Sequence, residues 1–227
     1  FTTKPVHQGY IEPHAAVADA NSDGRANLWC SSQGHFQMRA YTATVLGVSP
    51  GNIKVTAAEI GGGFGGKTVI YLEPLAVRLS QRAGRPVKLV MDRDEVFRAT
   101  GPTSGTRIKV KMGATKDGKM TAAEVWMAYE AGAYAGSPVG AAGMTAIACY
   151  DIPNFVVEGY DVVCNKPRVA AYRAPGAPMA AFAVESVVDE LARNLEIDPI
   201  DIRLANAADE GTQASYGPKF PRIGFVE

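Results

Sequence analysis

The sequence predicts an α+β fold, a mixed sheet with long hairpins and packed helices. Three observations predict it. Strand-like and helix-like periods interleave up to residue 92, residues 106–134 alternate about a hairpin signal, and the last third carries a long helical stripe. With 227 residues, 47% hydrophobic and 20% charged, the chain has the composition of an ordinary globular protein and enough length to bury a core.

The elements follow in chain order. "YIEPHAAVADA" and "ANLWCSS" read as two strands joined by the turn "NSDGR", where Gly24 supplies the permissive backbone. "GHFQMRAYTATVLGV" places Met38, Tyr41, Val45 and Val48 on one helical face, ended by Gly47 and Pro50. "NIKVTAAEI" is a strand. Leu72, Leu75, Ala76 and Leu79 then recur at helical spacing until Gly84, and "PVKLVMD" reads as a buried strand. Ile108, Val110 and Met112 alternate with charged residues ahead of the hairpin signal Asp117-Gly118. "NFVVEGYDVVC" is strand-like. From about Pro178, Val184, Val187, Val188, Leu191 and Leu195 keep one helical face. Asp198 caps a last helix with Pro199 in its first turn and Asp201 near its positive end.

Charge narrows the function. Lys+Arg 23 balances Asp+Glu 23, which argues against a broad surface for nucleic acid or an anionic membrane. No apolar run is long enough to span a bilayer, and no signal-peptide pattern opens the chain. Cys30, Cys149 and Cys164 are odd in number, far apart and set in apolar stretches, so they read as free thiols in a reducing, cytoplasmic compartment. No C-x-x-C pair is present, and His7, His14 and His35 fit no recurrent metal-ligand spacing. The abrupt start "FTTKPVHQGY" and end "RIGFVE" read as those of a piece cut from a longer protein.

Three loops are candidate sites. GGGFGGKT, residues 61–68, satisfies the P-loop pattern literally, and the aspartate ending "KLVMD", Asp92, even resembles the residue that assists magnesium. Against that, five of the six residues at 61–66 are glycine, Phe64 fills the middle, and the strand before it alternates polar with apolar residues. A turn without a ligand is the plain alternative, although so many glycines cost more folding entropy than a simple turn requires. In "AAYRAPGAPM", Pro175 and Pro178 stiffen a loop ahead of a helix, and Arg173 is its only charge. That arginine reads as paired with a surface carboxylate, or the rigid loop before a helix N-terminus offers backbone donors to an anion. In "CSSQGHFQ", Ser32 is a candidate helix cap and Gln33 a candidate donor to a buried oxygen.

Read together, "YIEPHAAVA", "SSQGHFQMR", "EIGGGFGGK", "DGKMTAAEVWMAYEAGAYA" and "AYRAPGAPMAAFAVESVVDELARNLEIDPIDIRLAN" occur in an order that resembles the large, molybdopterin-binding subunit of the xanthine dehydrogenase and aldehyde oxidase family. The resemblance covers nearly the whole chain. It implies that residues 1–227 are the first molybdenum-cofactor-binding domain of a larger subunit, and that the P-loop match is coincidental. It also implies a molybdenum–molybdopterin cofactor, either in its plain form or as the cytosine dinucleotide. The activity implied is hydroxylation of an aromatic heterocycle or aldehyde with water-derived oxygen. Partners would be a second molybdenum-cofactor domain and iron–sulfur and FAD subunits, with no nucleic acid and no membrane. Position by position, Gln33 matches the glutamine that reaches a molybdenum oxygen ligand. Phe64, with Gly63 and Gly65, matches the loop over the metal, and Arg173 matches the arginine of the second loop.

Departures from the family pattern carry information. Members acting on xanthine have a glutamate after the GGGFGGK lysine, where this chain has Thr68; the arginine that orients xanthine falls near Ala141. Carbon monoxide dehydrogenases have a cysteine where Ala174 stands, and Met179 replaces a glutamine common after GAP. The family's glutamate base lies in a later domain and no glutamate here matches it, so no catalytic residue is assigned. A P-loop nucleotide-binding module and a catalytically silent assembly domain are the competing classes.

Overall fold

Asn21 and Gly24 make the turn that the sequence marks: the Gly24 N–H donates to Asn21 O at 3.2 Å, with Gly24 at φ 88. The computed structural model describes residues 1–226 and forms two compact units, each around its own four-stranded sheet. In chain order the elements begin β1 (Thr2–Thr3), β2 (Ala15–Ala20), β3 (Ala26–Cys30), α1 (His35–Leu46), β4 (Ile53–Ala57), α2 (Glu73–Ala83), β5 (Val87–Val90) and α3 (Arg93–Ala99). They continue β6 (Thr106–Ala114), β7 (Met120–Gly132), α4 (Val139–Thr145), β8 (Phe155–Val163), α5 (Ala177–Leu195) and α6 (Pro199–Ala205).

One unit comprises Val6–Thr103 and Pro167–Arg173. Its sheet runs β4-β3-β2-β5, with β3 and β4 parallel and the other pairs antiparallel. Alternate residues Ala16, Ala18 and Ala20 of β2, and Ala26, Leu28 and Cys30 of β3, turn inward to the core with Met38, Ile53 and Val77. Those inward alanines are small, so α2 presents Ala76, Val77 and Ser80 rather than its leucines. The Ser80 hydroxyl accepts from Ala20 N and donates to Arg85 O, both at 2.9 Å.

The other unit comprises Phe1–Pro5, Ser104–Lys166 and, of the described residues, 174–226. Its sheet runs β1-β6-β7-β8. The β6–β7 hairpin turns at Gly118, φ 88, as the Asp-Gly signal predicts. β8 returns parallel to β7, so the chain crosses over through α4. Val125, Met127 and Tyr129 pack with Val184 and Val188 of α5. Each such buried side chain contributes about 1.5–3 kcal/mol. Asp198 caps α6 as expected, accepting from Ile200 N and Asp201 N. Asn206 is fully buried: it accepts from Met120 N at 2.8 Å and donates to Gly118 O at 2.9 Å and Ile202 O at 2.8 Å.

Several expectations need correction. On α1 the buried stripe is Met38, Thr42 and Ala43, whereas Tyr41 and Val45 are exposed. On α2, Leu75 and Leu79 of the expected stripe are exposed. β5 is an edge strand with Lys88 and Val90 exposed, not a buried one. The α1 cap is Gly34, without a side-chain bond, instead of Ser32. Asp92 closes a capping box on the unexpected helix α3, with Glu95 N donating to Asp92 Oδ1 at 2.8 Å and Asp92 N to Glu95 Oε2 at 2.9 Å. The short helix α4 was also absent from the sequence pattern.

Candidate functional site

All five candidate residues, Gln33, Gly63, Phe64, Gly65 and Arg173, lie in the unit built on β2–β5, and the structure brings their loops together. β3 ends at Cys30, and three residues later the Gln33 main chain donates to Lys67 O at 2.9 Å. Its side-chain Oε1 accepts from Gly65 N at 2.8 Å and from Lys67 N at 3.2 Å. Two N–H donors settle which end of the amide is oxygen. The amide nitrogen is therefore left with two hydrogens to donate and has no protein partner among the described residues.

The glycines are required by contact as well as by torsion. A Cβ on Gly63 would sit 2.5 Å from Gln33 Oε1, and one on Gly65 would sit 2.6 Å from the carbonyl oxygen of Ala171. Gly65 has φ 101, and Phe64 beside it holds φ 49 with its ring about half exposed. A non-glycine residue at positive φ is a strained position that surrounding contacts must maintain. One such contact is explicit: Arg173 N donates to Phe64 O at 2.8 Å. Another is the Thr68 hydroxyl, which donates to Gly65 O at 2.8 Å and so is turned back into the loop. Among the described residues no carboxylate pairs with the exposed Arg173 guanidinium, which removes the surface-pair reading.

Sequence reasoning missed Glu12 and Gln8. Glu12 Oε2 accepts from Gly61 N at 2.8 Å and from Lys67 Nζ at 2.7 Å. Burial alone would raise the Glu12 carboxyl, but the bonds from Lys67 and Gly61 outweigh it and hold it below its ordinary value. Lys67, with its side chain 0% exposed, lies 5.0 Å from the Tyr10 ring centre. The Tyr10 hydroxyl meets His14 Nε2 at 2.8 Å, and burial together with the Lys67 charge pushes His14 down to about 4. Gln8 donates to Gly101 O at 3.2 Å and Ala171 O at 2.9 Å, and its own buried Oε1 has no partner.

This geometry excludes phosphate binding of the P-loop kind. Lys67 points into the protein, and five residues, 68–72, separate it from α2. The first residue of that helix is Glu73, whose carboxylate already accepts from Tyr71 N at 2.7 Å and opposes an anion. Among the described residues no group of three His, Cys, Asp or Glu is placed to hold a metal ion. The cysteines are all free, and burial raises the Cys30 thiol to about 12, an unreactive value.

Comparison with known proteins gives a consistent result. A family profile described as "Molybdopterin cofactor-binding domain" matches residues 1–207. The nicotinate dehydrogenase large molybdopterin subunit of Eubacterium barkeri is 30% identical over 231 residues, covering 100% of this chain and 54% of that subunit. The xanthine dehydrogenase molybdenum-binding subunit of Escherichia coli O157:H7 is 32% identical over 216 residues, 93% of this chain and 29% of that one. The crystal structure of quinoline 2-oxidoreductase from Pseudomonas putida 86 superposes with a TM-score of 0.91 at 27% identity, over 97% of this chain and 30% of that one. The chain thus spans about half the length, or less, of the relatives it matches.

Proposed function

This chain belongs to the molybdopterin cofactor-binding domain family, and we propose that residues 1–227 serve as the first cofactor-binding domain of a larger molybdenum hydroxylase subunit. The observation that supports it best is the Gln33 amide, whose oxygen is held by two loop N–H groups while its nitrogen is left to donate. The site fits the group. Gly63 and Gly65 leave no room for a side chain, so the backbone can approach a bulky anionic cofactor. Gln33 would donate to an oxygen ligand of the metal, Phe64 would cover the metal, and Arg173 would hold the cofactor from the second loop. A buried oxygen needs such a donor, because leaving it unpaired costs about 1–3 kcal/mol. When bound, the molybdenum centre supplies the two-electron oxidation that lets a substrate carbon gain a water-derived oxygen.

The same reading takes the cofactor in its plain form or as the cytosine dinucleotide, iron–sulfur and FAD partners as electron acceptors, and a cytoplasmic setting that agrees with three free thiols. Among the described residues no helix is long and apolar enough to cross a membrane. The general base is placed outside this chain, in the second cofactor domain. The substrate class is an aromatic heterocycle or an aldehyde. Similarity to a nicotinate dehydrogenase subunit and to quinoline 2-oxidoreductase supports the heterocycle.

The test is metal and pterin analysis of the natively purified full-length protein. We expect close to one molybdenum per chain, a loss of at least tenfold in turnover for Gln33→Ala, and no heat of binding for Mg-ATP. A native complex without molybdenum would sink the reading.

A further inference from the structure

The loop 61–67 begins and ends on one side chain. Glu12 Oε2 takes the Gly61 N–H at 2.8 Å and the Lys67 ammonium at 2.7 Å, while Glu12 N donates to Gly61 O at 3.2 Å. A Cβ on Gly61 would sit 2.6 Å from the Glu12 Cβ, so the two segments are in close contact there. Lys67 is also joined to Gln33 by its main chain in both directions: its N–H donates to Gln33 Oε1 and its carbonyl accepts from Gln33 N. Anything that moves Lys67 therefore moves the Gln33 amide.

Five glycines in six residues give this loop almost no side chain with which to fix its own shape. Its conformation has to be imposed from outside. Most surface ion pairs are too weak and too mobile for such a task. This one differs, because the Lys67 side chain is 0% exposed and would be left as an uncompensated buried cation without Glu12. The Tyr10 ring beneath it and Arg93, which donates to Tyr10 O at 2.7 Å, hold the segment that carries Glu12.

We propose that Glu12 and Lys67 are positioning residues: their ion pair closes the base of the glycine loop and thereby sets the direction of the Gln33 amide toward the cofactor. The proposal rests on the cofactor-binding reading above. Neither residue touches the reacting atoms in it.

The experiment compares Lys67→Met and Glu12→Gln with wild type and with Arg203→Met, all in the full-length protein with its partner subunits. Arg203→Met breaks an ion pair in the other unit, to Glu185 at 2.7 Å and Asp189 at 2.8 Å, and controls for lost stability. The readouts are molybdenum per chain, the Mo(V) paramagnetic resonance signal of the partly reduced protein, and the melting temperature. Lys67→Met should lower molybdenum content at least fivefold and Glu12→Gln at least twofold. The loaded fraction of each should show a changed signal that matches Gln33→Ala. Arg203→Met should melt lower yet keep wild-type content and signal. Wild-type content and signal in a folded Lys67→Met overturn the clamp, and so does cofactor loss in Arg203→Met that scales with its lower melting temperature. If Lys67→Met does not fold, Glu12→Gln decides by the same two readouts. Wild-type protein without molybdenum overturns the cofactor reading and the clamp with it, whereas loaded wild type with indifferent variants overturns the clamp alone.

Discussion

Adding one methyl group at Gly65 tests whether the two loops are truly held against each other. Gly65→Ala carries two penalties that can be separated. The first is torsional: Gly65 has φ 101, and an L-residue at positive φ costs roughly 1–2 kcal/mol. The second is contact. The new Cβ would lie 2.6 Å from Ala171 O, where ordinary contact begins near 3.4 Å, so the Ala171 backbone must retreat by ~0.8 Å. That movement strains two hydrogen bonds, Arg173 N to Phe64 O and Gln8 Nε2 to Ala171 O, both on the retreating segment. At about 0.5–1.5 kcal/mol each, their loss brings the total to about 2–5 kcal/mol. Gly47→Ala is the control. Gly47 has φ 69 at the end of α1 and nothing within 4 Å of a built Cβ, so it carries the torsional penalty alone. Urea unfolding of both variants, followed by circular dichroism, should place Gly65→Ala below Gly47→Ala by about 1–3 kcal/mol. Equal midpoints would mean that the 170–173 loop yields freely, and the argument that close approach fixes these glycines would be wrong.

Three further outcomes follow from the same geometry. His14 has its folded value pushed down to about 4, against 6.5 ordinarily, by burial and the Lys67 charge. Its contribution to stability is thus full above pH 6.5 and is lost as pH falls toward 4, by about 3 kcal/mol in all; replacing it, as in His14→Phe, should flatten the urea midpoint between pH 7 and 4.5, and an unchanged slope refutes the assignment. Asn206→Ala removes three buried hydrogen bonds and should destabilise by about 3 kcal/mol in urea, a loss under about 1 kcal/mol being incompatible with that role. With the Thr68 hydroxyl donating into its own loop and Ala141 offering no guanidinium, the full-length protein should prefer another heterocycle or an aldehyde over xanthine; a hundredfold kcat/KM preference for xanthine, about 2.7 kcal/mol, refutes it.

What was legible in the sequence was local chemistry. Asp117-Gly118 needed only a positive φ for its turn, and Asp198-Pro199 needed only a cap and a fixed φ, so both could be read without knowing what lay nearby. The faces of α1 and α2 could not. Leucines at helical spacing mark a stripe, but which stripe is buried depends on the partner surface, and the alanines of β2 accept a small-residue face more closely than a bulky one. α4 shows the same limit from the other side. "VGAAGMT" contains two glycines and has little intrinsic helix propensity, yet it forms where Ala142 can be fully buried. The capping box at Asp92 and Glu95 was readable by its spacing, and the P-loop comparison drew attention to the wrong property of Asp92.

The site divides in the same way. A glycine cluster announces that something must come close, because no other residue loses so much on folding for so little packing. Gln33, just past the end of a strand, reads as a candidate neutral donor. Neither statement says what shapes the loop, and there the sequence is silent for a physical reason. The groups that shape it bind main-chain atoms or a buried ammonium across long separations, Glu12 reaching Lys67 over 55 residues and Gln8 reaching Ala171 over 163. A contact of a side chain with a distant peptide group leaves no pattern in composition or period. Lys67 was legible as a lysine in a glycine loop, and its charge favoured the reading in which it faces a phosphate. Only its direction decides between the readings, and that direction is set by a carboxylate on another segment. A charged residue in a glycine loop therefore identifies a ligand's charge only when no internal partner neutralises it; at Lys67 the partner is present, whereas among the described residues no carboxylate pairs with the Arg173 guanidinium of the second loop.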